Sequence, residues 1–199
     1  NNLADRDGFI VVYPDGRNKH WNDGRNGEET GYQSHKENCD DTGFISLIID
    51  YFINQFNADP LKVYVTGMSN GAMMSYRLGC DLSGKIAAIA PVTGNIPQNL
   101  LALCTPSDPV ALLAINNVND PLMPYKGGYV TGPFGKRKIG KVLSSEASVK
   151  FWVNRNKYQA NPLVTEEPDR DPGDGTRVRR ETYTNGLNGT EVILYTIEG

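Results

Sequence analysis

What this chain has least of bounds it first. Its 199 residues include two histidines, His20 and His35, and three cysteines, Cys39, Cys80 and Cys104. Neither set has the spacing of a metal centre: there is no C-x-x-C and no histidine pair beside a cysteine, so no metal site is expected. Cys80 and Cys104 either pair in an oxidising compartment or lie as small buried thiols, and the odd number leaves one sulfur over. Long apolar runs are missing as well. The longest candidate, Phe44 to Phe56, is interrupted by Ser46, Asp50 and Asn54, so no membrane span is expected. Positive charge is not in excess either. The formal net charge is −3 with acids and bases interspersed, and no basic patch interleaved with aromatics stands ready for nucleic acid. The chain opens Asn1-Asn2-Leu3 without an initiator methionine, so a leader peptide is neither visible nor excluded.

What remains is enough length for one α/β domain with a sizeable core, without internal repeat or internal boundary. Its organising stretch runs from Lys62 to Pro91. Lys62-Val63-Tyr64-Val65-Thr66 is β-branched and aromatic, a buried strand in composition. Gly67-Met68-Ser69-Asn70-Gly71 follows, and Ala72 to Leu78 consists mostly of good helix formers. Strand, glycine-flanked serine, then helix is the context of a G-x-S-x-G nucleophile elbow. Such a turn strains the serine backbone and lifts its hydroxyl beyond the sheet edge. Gly67 and Gly71 are expected to be glycine because a side chain at either would strike the crossing strand or helix. The helix N-terminus then offers N–H groups and a positive dipole end to a developing oxyanion.

The rest of the chain reads as alternating strands and helices, the signature of a mostly parallel, doubly wound α/β sheet. Gly8 to Tyr13 is a continuous apolar run ending in Pro14-Asp15-Gly16 and predicts a strand. Arg17 to Asn38 is polar and glycine-rich, a surface loop in which Trp21 is an anchor and His20 and His35 are surface residues. Asp40-Asp41-Thr42 caps a helix from about Gly43 to Asn57. Ile86 to Val92 and Val110 to Ile115 predict further strands. Lys126 to Lys141 reads as an excursion loop, Ser144 or Ser145 caps a helix through about Asn156, and Tyr158 to Gly175 is irregular. Arg177–Tyr183 and Glu191–Ile197 alternate, and form a hairpin or an edge strand beside a last strand. Asp169, Asp171 and Asp174 evoke a calcium loop. The third acid is displaced, Pro172 interrupts, and no glutamate stands at the bidentate position, so a solvated turn is expected.

A serine hydroxyl needs a base, and the base an orienting carboxylate. Asp120 follows the Val110–Ile115 strand after a short polar loop, where such a group sits in open α/β sheets; a plain turn aspartate before proline is the alternative. Both histidines precede Ser69 and none follows Asp120, against the order serine, acid, histidine of α/β-hydrolases. Either a loop histidine acts out of order, or the base is another residue, or it lies beyond Gly199.

Several segments together resemble a known family. Gly8 to Gly16, Trp21-Asn22, Asp40 to Ile45, Val63 to Gly71, Asp120 to Tyr125 and Leu194 to Gly199 are similar to the polyhydroxybutyrate-depolymerase-like esterases. These are α/β-hydrolases related to the feruloyl and acetylxylan esterases of carbohydrate esterase family 1. The resemblance implies Ser69 as nucleophile, Asp120 as triad acid and the Asn70 N–H as oxyanion donor. It also implies a secreted or periplasmic protein, no cofactor, and an ester substrate on a polysaccharide or polymer. Two departures stand out. Asn116-Asn117-Val118 replaces a His-Gly-Thr run, and Asn156-Lys157-Tyr158 lacks a family cysteine, so the disulfide it would form is not expected. The expected histidine segment would follow Glu198-Gly199, and the second oxyanion loop would precede Leu3. The chain is therefore expected to be a fragment of the catalytic domain, inactive alone. The competing functions are a non-catalytic binding protein on this fold and a serine peptidase.

Overall fold

The computed structural model describes residues 2–132, 135, 137–158 and 161–199. Parts of the expected loops at 126–141 and 158–175 lie outside the described residues, as does Asn1. One six-stranded sheet carries the architecture. Strands β1 (Tyr64–Met68), β2 (Ala88–Val92), β3 (Ala111–Asn117) and β8 (Val192–Glu198) are parallel neighbours in that order. The sheet then turns antiparallel through β7 (Arg177–Tyr183) to the outer strand β6 (Leu163–Glu166). A separate antiparallel hairpin joins β4 (Gly128–Thr131) to β5 (Lys138–Val142).

Three helices make the core with this sheet. Helix α4 (Asp41–Phe56) starts at Asp40, whose side chain accepts from the Gly43 N–H, and stops where Asn57 turns left-handed at φ 55°. Helix α5 (Asn70–Asp81) follows β1 directly, and α6 (Ser145–Arg155) is capped by Ser144 Oγ accepting from the Ala147 N–H. Residues from all three pack with Ile89, Leu112, Val192 and Leu194 of the strands around the fully buried Trp152 and Tyr76. Alternation explains which strand residues go inward: in β3, Leu112, Ala114 and Asn116 are buried while their neighbours are half-buried. Short helices α1 (Asn2–Asp7), α2 (Gly27–Thr30) and α3 (Gln33–Lys36) complete the order. No helix among the described residues is long and apolar enough to cross a membrane.

Three segments depart from expectation. Gly8 to Tyr13 is not a strand: it has no ladder partner among the described residues, and Phe9 to Tyr13 stay 36–81% exposed. Apolar composition favours a strand only where a neighbour supplies hydrogen bonds, and β1, at the end of the sheet, pairs on its β2 side alone. The excursion loop instead holds β4 and β5, because Val130, Ile139 and Val142 pack on Met73 and Met123 as a second apolar cluster. The irregular stretch contains β6, all four residues exposed, found only through its pairing with β7. Across the N-terminal halves of the parallel strands runs an open groove of about 540 Å³, lined by Tyr64, Thr66, Ala88, Ala90, Leu113 and Ile193 among others.

Cys80, at the end of α5, is bonded to buried Cys104 across 24 residues of sequence, with Cα atoms 4.9 Å apart, and Cys39 is free. Closing a loop of that length restricts the unfolded chain by about 3 kcal/mol. Replacing both cysteines by serine should therefore lower the unfolding free energy by roughly that amount in urea titrations. A change below about 1 kcal/mol would show that the bond does not constrain the unfolded state as assumed.

Candidate active site

The elbow begins as the backbone leaves β1. Ser69 has φ 55° and ψ −112°, outside the ordinary regions for a side-chain-bearing residue, at a cost of about 1–3 kcal/mol. Two hydrogen bonds hold it there. Its N–H donates to the Val92 carbonyl at 3.0 Å, and its own carbonyl accepts from the Met73 N–H at 3.0 Å. The Ser69 side chain lies on the exposed surface, at the start of α5. A Cβ on Gly67 would stand 2.5 Å from the Gly71 carbonyl carbon and oxygen, so strand and helix cross too closely for a side chain at 67. The expectation for Gly71 was wrong: a Cβ there meets open space. The crossing is one-sided, since Gly71 presents its backbone to Gly67 and its missing side chain points away.

Asp120 stands beyond the end of β3, at the same C-terminal sheet edge as Ser69 and two strands away. Its Oδ1 accepts from the Leu122 and Met123 N–H groups, both at 2.8 Å. The carboxylate is half-buried, and no hydrogen bond among the described residues engages Oδ2. A base hydrogen-bonded to that oxygen would be oriented by a carboxylate already fixed on its other oxygen.

Between Ser69 and Asp120 lies a brace that sequence reading missed. Asn116, at the end of β3, is buried; its Oδ1 accepts from Gly94 N at 3.0 Å and its Nδ2 donates to Asn95 Oδ1 at 3.2 Å. Thr93 N donates to the Ile115 carbonyl at 2.8 Å, so the ends of β1, β2 and β3 are stitched in sequence. Gly94 is glycine for space: a Cβ would sit 2.4 Å from Ala72 Cβ at the base of α5. The available signal is Thr93-Gly94-Asn95, a turn cluster directly after a buried strand.

The loop at 17–38 is only partly a surface loop. Asn22, Asp23 and Arg25 are buried, and the segment lies against the start of α5. Trp21 N donates to Asn70 Oδ1 at 2.7 Å, and Asn70 Nδ2 donates back to Trp21 O at 3.0 Å and to Asp23 Oδ2 at 2.5 Å. Arg25 grips Asp23 with Nε at 3.0 Å from both oxygens and Nη2 at 2.7 Å from Oδ2, while His35 Nε2 donates to Oδ1 at 3.1 Å. Burial drives the Asp23 carboxyl up, but the Arg25 charge and the hydrogen bonds from His35 and Arg25 outweigh it and hold it at about 2.

His35 is thus a buried partner of Asp23, against the expectation of a surface histidine. A carboxylate deep in a polar loop supplied its reason for burial, and spacing carries no sign of that. His20 is half-buried, stacked on Tyr32 with ring centroids 3.8 Å apart, its Nδ1 2.9 Å from the Asn18 carbonyl. Neither histidine is hydrogen-bonded to Ser69 or Asp120 among the described residues. No group of three or more histidine, cysteine, aspartate or glutamate side chains among the described residues is arranged to hold a metal. In the acidic turn, Asp169, Asp171 and Asp174 each accept from a backbone N–H two residues on, so these carboxylates cap their own turn.

With this geometry in view, the similarities of the chain carry chemical meaning. No protein-family model matches it. Over its full length it is 28% identical to NocK of Nocardia uniformis subsp. tsuyamanensis, whose name places it among the esterases, and covers 57% of that protein. It is 33% identical over 62% of its length to a bifunctional acetylxylan esterase/xylanase of Neocallimastix patriciarum, covering 16% of it. Feruloyl esterase B of Piromyces equi is 28% identical over 97% of the chain, which covers 33% of that enzyme. The chain is similar in sequence to proteins named feruloyl and acetylxylan esterases. It spans little more than half, or less, of the curated relatives it matches. An acetyl xylan esterase from Aspergillus awamori shares the fold, with a TM-score of 0.56 at 15% identity over 98% of this chain and 73% of the other.

Two outcomes follow from the packing. Gly67→Ala should destabilise the fold by about 1–3 kcal/mol or more, whereas Gly71→Ala should be neutral or stabilising by up to ~1 kcal/mol; thermal unfolding of the pair decides, and equal losses would refute the one-sided crossing. Asp23 gives the second. Its folded value lies below the unfolded one, so its contribution is complete above the unfolded value of 3.8 and lost as pH falls toward about 2. The stability gap between wild type and Asp23→Asn should stay constant from about pH 8 to about pH 5 and close only at lower pH. A gap that already closes near neutrality would mean that a different group titrates.

Proposed function

We propose that this chain is the nucleophile-and-acid part of a serine carboxylesterase. The observation that carries the reading is Ser69, held in a strained turn between β1 and α5, with Asp120 at the same sheet edge two strands away. Relatives named for acetylxylan and feruloyl esterase activity support an ester as the bond cleaved.

In this reading Ser69 Oγ attacks the ester carbonyl while a base takes its proton. The first N–H groups of α5 have no intrahelical acceptor, and that of Asn70 faces the developing oxyanion with the positive end of the helix behind it. The alcohol leaves with the proton returned by the base. Water then attacks the acyl-serine, its proton passing to the base and on to Ser69, and the acid product departs. Neither His35, bonded to Asp23, nor His20, stacked on Tyr32, stands in the place of that base. A segment following β8 would reach the site, since β8 ends beside β3 with Ile197 opposite Asn117.

The substrate class is an ester of the plant cell wall, a feruloyl or acetyl group on xylan; short-chain polyhydroxyalkanoates are the remaining candidate from the same chemistry. The Cys80–Cys104 bond favours an oxidising compartment and so a secreted or periplasmic protein.

The full-length protein that carries this chain should hydrolyse p-nitrophenyl acetate. Ser69→Ala should reduce kcat by about 10³-fold or more, and Asp120→Asn by about 10²-fold or more, with thermal unfolding little changed. Turnover by Ser69→Ala at the wild-type rate would overturn the assignment.

A further inference from the structure

The buried carboxylate at position 23 is not near a sheet edge by accident of packing. It is the centre of a cluster whose outermost member is the side chain of the residue after the nucleophile. Asn70 makes three hydrogen bonds through its amide group: it accepts from Trp21 N, and donates to Trp21 O and Asp23 Oδ2. The pair with Trp21 copies one rung of a β-ladder, a side-chain amide standing in for a backbone peptide group. Both Trp21 contacts are to backbone, so this rung fixes the course of the Asn70 side chain with little dependence on the indole. The contact with Asp23 fixes the remaining amide proton.

Asp23 is itself immobile. Its side chain is 0% exposed, paired with an Arg25 side chain that is 1% exposed and with His35 at 1%. Arg25 also donates through Nη1 to the Ile139 carbonyl of β5 at 2.7 Å. A charged group costs several kcal/mol to bury, so a carboxylate is retained here only where its geometry is saturated by donors. The donors are Arg25, His35 and Asn70, and Asn70 alone is bonded directly to the nucleophile residue.

Resting on the reading of Ser69 as nucleophile, we infer that Asp23 is a positioning residue for the reaction. It acts through the Asn70 side chain to hold the Asn70 N–H at the angle where the oxyanion forms. The strained turn gives this anchor its purpose. Ser69 at φ 55° has lower-energy backbone states available, and each would swing the following peptide N–H. The Ser69 N–H bond to Val92 fixes the turn before the nucleophile; the Asn70 amide fixes it after. An oxyanion donor matters only in the transition state, so loosening it should lower kcat and leave KM nearly unchanged.

The decisive experiment is a double-mutant cycle in the full-length protein. Asn70→Ala deletes the amide but keeps the backbone N–H and leaves the Asp23–Arg25–His35 cluster whole. It should lower kcat about 10- to 100-fold with KM within about two-fold. Asp23→Asn should lower kcat by a similar factor. The double variant should lose no more than Asn70→Ala alone, because the effect of Asp23 passes through Asn70. Asp23→Asn leaves Arg25 buried without its partner; if it fails to fold, Asn70→Ala still decides, since unchanged kcat in a folded Asn70→Ala protein overturns the inference. Multiplicative losses in the double variant overturn it too. Ser69→Ala in the same series separates the two readings. If Ser69→Ala retains turnover, the esterase site itself is wrong; if it is inactive while Asn70→Ala turns over normally, only the positioning role of Asp23 is lost.

Discussion

A serine at φ 55° and ψ −112° does not stay there unaided, and much of the surrounding structure is the set of contacts that keep it in place. Strain of about 1–3 kcal/mol persists only where neighbours over-determine the backbone. Three constraints meet at Ser69. Parallel pairing of β1 with β2 sets Met68 opposite Val92, which brings the Val92 carbonyl to the Ser69 N–H. The bare backbone of Gly67 lets α5 cross β1 with atoms at 2.5 Å from where a Cβ would stand. The amide of Asn70 ties the first residue of the helix to the loop at Trp21. Each hydrogen bond contributes only about 1 kcal/mol net, so no single one suffices and the turn depends on their agreement.

That agreement reaches outward through the charged cluster. Arg25 joins the Trp21 loop to β5 through the Ile139 carbonyl, and its guanidinium lies 5.6 Å from the centroid of the Tyr32 ring. β5 and β4 in turn rest on Met73 of α5 and Met123, three residues after Asp120. Thr131 N donates to the Leu122 carbonyl, within the turn that fixes the acid. The hairpin therefore touches both α5 and the loop that holds Asp120. Buried ion pairs contribute little net stability compared with apolar packing, because desolvation cancels most of the attraction. What this one supplies is direction: a cluster of fixed donors and acceptors has one arrangement, where an apolar contact would tolerate several.

The sequence made some of this legible and hid the rest for physical reasons. β1, β2, β3, α4, α5 and α6 follow from hydrophobic period and caps, signals contained within each segment. The elbow was legible because its glycine, serine and flanking elements are contiguous. Gly71 was misjudged because the motif is symmetric in sequence while the crossing is not. The strand expected at Gly8 to Tyr13 failed for the opposite reason: a strand is defined by its neighbour, and composition says nothing about whether one is present. Asp23 escaped notice and His35 was read as a surface residue because their meaning lies in each other and in Asn70, 47 residues beyond Asp23. Asn116 looked like a departure from the His-Gly-Thr run of related esterases, yet it holds Gly94 and Asn95 and so joins the two halves of the site.

The distribution of polar and apolar surface along β1 adds a last constraint. The face of α5 toward the core is fully covered, with Ala72, Met73, Met74 and Tyr76 at 0–3% exposed. The strand leading into the same turn is not: Tyr64 is 66% and Met68 70% exposed, and the Phe9 to Tyr13 run is uncovered as well. Met68 immediately precedes Ser69, so Ser69 stands between the covered face of α5 and the exposed apolar side chains of β1. Electrostatic stabilisation of an oxyanion weakens in the presence of bulk water, because solvent dipoles compete with the fixed N–H donors. The Asn70 amide fixes the first residue of α5 by geometry, through the Trp21 backbone and Asp23, whatever the wetness of the turn.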